Sequence, residues 1–214
     1  MPKKREPVRP GGENPSGTAS APASRLTVVK PNADSRFVLP RRWIAGLLAV
    51  ITLAIYAPVR NHEFIDYDDN CYVYDHELIQ QGFTVEGIKF AFTKLHGEKT
   101  YWHPVTWLSH MLDCELFGVA AGPHHLVNVL FHIANVVLLF LWLQALTGRR
   151  WPSAAVAMLF AWHPLQVDTV AWIAERKNLL SALFWIAALW SYTTYAQRGR
   201  RGYYFGALGL LPWV

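Results

Sequence analysis

His124–Leu146 reads HHLVNVLFHIANVVLLFLWLQAL, a run with no Asp, Glu, Lys or Arg. It has the length and character of the ~20 apolar residues an α-helix needs to cross the hydrocarbon layer of a bilayer. Working outward, four more apolar runs share its character: Trp43–Val59 (WIAGLLAVITLAIYAPV), Trp151–Ala174, Leu179–Ala196 and Tyr203–Val214, the last read as an incomplete span. Short polar turns separate the later runs, and one long polar segment, residues 60–123, follows the first. A chain crossing lipid must satisfy its own backbone, so these runs predict an all-α integral membrane bundle of several spans.

Composition agrees. The 214 residues are 52% hydrophobic and only 16% charged, against about 25% charged in an average soluble domain. Ten Trp, nine Tyr and eleven Phe suit a protein whose rings sit at membrane–water boundaries. The net charge of +5 does not point to nucleic acid. Nine of the twenty basic residues precede Trp43, and five more form the clusters Arg149-Arg150 and Arg198/Arg200/Arg201 beside apolar runs. Basic residues so placed retain loops in the cytoplasm.

Residues 1–42, rich in Pro, Gly, Ala, Ser and basic residues, read as a disordered cytoplasmic tail, because they can bury too little to offset ordering entropy. The basic region is too long for a signal peptide, so Trp43–Val59 is read as a retained span. The tail and the loops at 148–150 and 197–202 then share the cytoplasmic side. The segment 60–123, with ten acids against four bases, and the turn Glu175–Asn178 face outside. Within that external loop TVEGIKFAF (84–92) and PVTWLSHMLDCELFG (104–118) read as short amphipathic helices too short to span, resting against the membrane. Cys71 and Cys114 both fall there, where a disulfide and two free thiols remain open alternatives.

The loop begins with Phe64–Glu77, FIDYDDNCYVYDHE. Its acids are spaced like a calcium loop, but Cys71 stands where the sharp turn needs glycine, and Tyr72-Val73-Tyr74 reads as extended strand. The acids read either as a hydrated linker or, for Asp68 and Asp69 close to the outer end of the first span, as a general base placed to act on a membrane-anchored substrate. His125, Asn128, His132 and Asn135 lie at spacings of 0, 3, 7 and 10 on one helical face. They read either as hydrogen-bonding glue between helices or as the wall of a cavity. No metal-ligand spacing is evident, although a divalent metal is compatible with the acids. Asp168 falls at or in the membrane, where an ionisable group is costly, and reads either as functional or as structurally paired with a cation. Arg176 and Lys177 are basic residues in an external turn, suited to a phosphate or to a snorkelling role.

Five motifs in order carry a resemblance: Tyr67-Asp68-Asp69, Trp102-His103-Pro104, His124-His125-Leu126-x-Asn128, His163-Pro164-Leu165-x-Val167-Asp168, and Glu175-Arg176-Lys177-x-Leu179-Leu180-Ser181. Over residues 43–196 the chain resembles the membrane domain of bacterial tetratricopeptide-repeat proteins related to the transmembrane O-mannosyltransferases of the GT-C superfamily. The resemblance implies a GT-C-like bundle in a bacterial inner membrane, using a polyprenyl-phosphate sugar as donor and a protein or glycan hydroxyl as acceptor. It implies Asp68 or Asp69 as base and Arg176 with Lys177 at the donor phosphate. His103, His125, His132, His163 and Asp168 would line the cavity. Asp168 stands where relatives more often carry Glu, and Asn178 where an acid commonly follows. The family continues into further spans and repeats, so the chain reads as a partial protein. A non-catalytic anchor or scaffold, or a truncated inactive form, is the alternative; a transporter would need repeat symmetry that the sequence lacks.

Overall fold

The computed structural model describes residues 39–93 and 102–213; residues 1–38 of the expected tail (1–42), segment 94–101 and Val214 lie outside the described residues, while Arg41 and Arg42, read as the end of that tail, open the first helix. Every element among the described residues is helical. Helix α1 (Arg41–Tyr56) runs into a tighter turn at Ala57–Asn61 where Pro58 removes a backbone donor. The loop then carries three short helices, α2 (Glu77–Gln80), α3 (Val85–Thr93) and α4 (Pro104–Phe117). Helix α5 (Ala121–Thr147) follows, ended by Gly148 at φ 69°, the left-handed residue that closes many helices.

After α5 come α6 (Arg150–Trp162), α7 (Gln166–Ala171), α8 (Arg176–Arg198) and α9 (Arg201–Leu210). Three stretches are long and apolar enough to cross a membrane: Arg41–Asn61, Ala121–Thr147 and Ile173–Arg198. The apolar run at 151–174 is divided. Helix α6 stops at Trp162 because His163, the residue before Pro164, adopts extended backbone at φ −67°, ψ 133°. Its 13 residues rise about 20 Å, well short of a ~30 Å hydrocarbon core.

The central helix is α5. Helices α1, α6 and α8 each pack along it. Ala154, Ala157 and Ala161 of α6 are buried against Ile44, Leu48, Val136 and Phe140, and such small side chains let helix backbones approach closely. Outward faces stay apolar, with Leu47, Val50, Leu130 and Leu159 exposed. This is the pattern of helices whose solvent is lipid.

At one end of the bundle the loop folds into its own core. Val73, Ile79, Trp107 and Met111 pack there against Ile173 and Ala174. Tyr72-Val73-Tyr74 is not the extended strand expected from its alternation: Asn70–Tyr74 is a wide helical turn. Burying Val73 completely and stacking Tyr72 on Trp107 at 4.8 Å outweighs β-propensity, which is weak without strand partners. Cys71 is exposed and Cys114 buried, and both are free thiols. Burial, with Asp113 beside it, pushes the Cys114 thiol up to about 11.

Candidate functional site

Asp69 opens the wide turn and is fully buried. Its Oδ2 accepts the Ile65 N–H at 3.0 Å and its Oδ1 accepts the Ala174 N–H at 2.9 Å. The second bond ties the first loop to the segment just before α8. Burial raises the carboxyl above its ordinary value of 3.8, opposed in part by the two backbone donors and by nearby His125. Asp68 is half-buried on the same turn. Asp66 is occupied locally, accepting the Tyr74 hydroxyl at 2.9 Å.

Beside this turn lies a cleft of about 650 Å³ lined by His62, Glu63, Tyr67, His125, Asp168 and Trp172, among others. Its walls come from the chain leaving α1, the start of α5, and α7. The break at Pro164 re-aims the chain, so α7 carries an exposed Asp168 to the rim. The His125 ring meets His62 edge-on at 5.8 Å, and its Nε2 lies 3.4 Å from the Glu63 carbonyl. Tyr67, 72% exposed, and Trp172 stand 5.7 Å apart as an aromatic wall. Carboxylates, imidazoles and ring faces converge on one opening.

A second node lies deeper. Arg176 is fully buried, and all three of its nitrogens are engaged: Nε donates to Asn128 Oδ1 at 2.8 Å, Nη2 to the His124 carbonyl at 2.9 Å, and Nη1 to Ser109 at 3.3 Å. Nη1 also meets Asp113 Oδ2 at 2.6 Å. The guanidinium therefore faces a carboxylate of α4 and no open cleft, unlike the donor-phosphate contact expected of it. Asp113 intercepts it because α4 lies across the ends of α5 and α8. His110, Asp113 and His124 also bring ligand atoms within 4.8 Å of one another, a grouping that could hold a metal ion. The sequence reading had no metal ligands there. Arg176 already meets that carboxylate, so a divalent ion would add charge to a buried site and raise its desolvation cost.

The remaining expected residues scatter. His132 is buried mid-bundle, its Nε2 3.0 Å from the Ala161 carbonyl and its ring against Tyr56. His163 is exposed in the turn and accepts the Leu165 N–H at 3.3 Å. His103 stacks with Tyr72 and Trp107 and borders a small crevice shared with Lys177 and Ser181. Lys177 pairs with Glu175 at 2.7 Å and lies over the Tyr72 ring at 5.4 Å. Asn178 donates to the other oxygen of Glu175. The structure thus brings His125 and Asp168 into one cleft with Asp69 behind it, and leaves His103, His132 and His163 elsewhere.

Sequence reasoning missed His62, Glu63, His110 and Asp113. The last two had a signal. Ser109, His110 and Asp113 recur at one helical turn on α4 among Trp107 and Met111. Reading α4 as an interfacial helix sent those polar groups to water instead of the interior.

The chain is similar to several proteins named protein O-mannosyl-transferases. It is 36% identical to TMTC3 of Mus musculus over 106 residues, 49% of this chain and 11% of that protein. It is 33% identical to Tmtc1 of Drosophila melanogaster over 96 residues, 45% and 11%. With TMTC1 of Mus musculus it shares 27% over 183 residues, 82% of this chain and 19% of that protein. The chain therefore spans between about a tenth and a fifth of these relatives' length, and is distantly related to them over part of its own. No family model and no solved structure matches it.

Proposed function

We propose that the chain is a module of a membrane glycosyltransferase that moves a sugar from a polyprenyl-phosphate donor to a protein or glycan hydroxyl at the external face. The observation that carries this is the Asp69–Ala174 hydrogen bond. It ties the acid of the first loop to the segment between Asp168, which lines the 650 Å³ cleft, and Lys177. The names of the similar proteins support glycosyl transfer in general.

In this reading Asp69 is the general base and Asp68 its neighbour on the turn. A carboxyl raised by burial is poised closer to neutral pH, where a base balances protonation against driving force. The base takes the acceptor hydroxyl's proton. The hydroxyl oxygen bonds to the anomeric carbon as the bond from that carbon to the phosphate oxygen breaks, with inversion, and the phosphate leaves with the electron pair. Lys177, partly open in the separate crevice beside His103, is assigned to the donor phosphate; Arg176 holds the frame by gripping α4, α5 and Asp113. Asp168, Glu63 and His125 line the space for the sugar or the acceptor.

Transfer from a polyprenyl-phosphate sugar by the full-length protein, comparing Asp69→Asn and Asp68→Asn singly, tests the assignment. Loss of at least two orders of magnitude in Asp69→Asn alone supports it. Wild-type rates in both variants would remove the base from this turn. A second reading, a non-catalytic anchor, draws on the complete burial of Asp69 and Arg176. It expects all of these carboxylate changes to act on stability only.

A further inference from the structure

The pair Arg41-Arg42 plays no part in the cleft described above, yet it borders a site of its own. At the far end of the bundle, Arg41, Arg42 and Ala45 of α1, Leu141, Gln144 and Ala145 of α5, and Trp190 of α8 line a cleft of about 430 Å³. Helices α1 and α8 each pack on α5, and the space between them at this end forms the cleft. Its floor is apolar, and its mouth carries two guanidinium groups and one amide.

Among the described residues the chain segments that form it carry charge of a single sign. Residues 39–45, 141–151 and 190–202 contain seven arginines (41, 42, 149, 150, 198, 200, 201) and no Asp or Glu. Among the described residues neither Arg41 nor Arg42 forms a salt bridge, and both are exposed. Two unpaired forks at the end of an apolar helix suit phosphate oxygens, which guanidinium groups bind bidentately. The apolar floor beneath them suits acyl chains, and an indole at the rim is a common interfacial anchor. Basic pockets between membrane helices recognise acidic head groups in this way.

We propose that this cleft is a binding site for an anionic phospholipid of the adjoining leaflet. The phosphate lies between Arg41 and Arg42, the Gln144 amide reaches the ester region, and the chains run down over Ala45, Leu141 and Ala145. A free phosphate would satisfy the guanidinium groups and leave the apolar floor empty. The site commits to a lipid for that reason.

The test is native mass spectrometry of the protein released from nanodiscs of phosphatidylcholine containing one-fifth phosphatidylglycerol. Wild type should retain phosphatidylglycerol in preference to phosphatidylcholine. Arg41→Gln/Arg42→Gln should lower the retained fraction about tenfold, while the charge-matched Arg200→Gln/Arg201→Gln variant keeps it. Excess inorganic phosphate should not compete. Equal loss in both double variants, no preference for the acidic lipid, or displacement by phosphate would each overturn the proposal. Thermal melts in pure phosphatidylcholine establish that both variants remain folded, and a variant pair that fails to fold is replaced by Gln144→Leu/Arg42→Gln, for which the same tenfold loss is expected.

Discussion

Asp69 takes its two hydrogen bonds from backbone N–H groups, whereas Asp113 faces a guanidinium at 2.6 Å. The difference sets distinct expectations. Because burial raises the Asp69 pKa, its protonated form is favoured by folding. That contribution is complete at pH values below the ordinary 3.8 and is lost as pH rises through the folded value. At neutral pH the ionised form therefore works against stability, but Asp69→Asn keeps one acceptor for two buried backbone N–H groups and turns an NH2 toward the other, so it should melt lower than wild type as well as lose transfer. The acid limb of the wild-type pH–rate profile should lie above 3.8. Arg176 behaves differently. Removing it as Arg176→Leu strands a buried carboxylate, which costs about 3–5 kcal/mol by denaturant or thermal unfolding. Adding Asp113→Leu should return most of that loss, since a buried ion pair replaced by apolar groups is often neutral. A double variant no more stable than Arg176→Leu would count against the pairing.

The elements are held by side chains that bond to neighbouring backbones. Asn128 donates to the Trp172 carbonyl, Asn135 to the Leu179 carbonyl, each at 2.9 Å. Asn135 lies away from both clefts, so Asn135→Ala should cost about 0.6 kcal/mol, a usual value for such bonds between membrane helices, and leave transfer intact. Asn128→Ala also frees Arg176 and should reduce both stability and transfer. At the start of α5 a Cβ on Gly122 would sit 2.5 Å from the Arg60 carbonyl oxygen. Gly122→Ala must therefore push α5 away from the turn after α1, and transfer should fall with the widened cleft; wild-type kinetics would contradict that coupling. The long helices were legible in the sequence because hydropathy alone reports them, and so was the shared face of His125, Asn128, His132 and Asn135. What that face does was not legible. Periodicity places four polar groups on a stripe but cannot say whether carbonyls of α6 and α8 or open space meets them. Here His132 and Asn135 meet carbonyls, and only His125 borders a cleft. Arg176 shows the same limit, because its partner Asp113 lies 63 positions earlier on a helix whose polar residues looked solvent-facing.

For the molecule as a whole, charge separates along the bundle. Acids gather in the loop near Asp69 and arginines at the opposite end. If the acidic end is external, a membrane-impermeant maleimide added to intact cells should label Cys71, which is exposed, and spare Cys114, which is buried with its thiol pushed up to about 11. Labelling confined to broken cells would reverse the orientation. In the proposed reaction Asp69 is the base of a sugar transfer completed at the cleft beside it. The direct measurement is transfer of labelled sugar from a polyprenyl-phosphate donor by membranes containing the full-length protein, wild type against Asp69→Asn at equal folded amounts. Asp69 as base requires transfer by wild type and at least a hundredfold loss per folded molecule in the variant. Equal transfer by both proteins would contradict it.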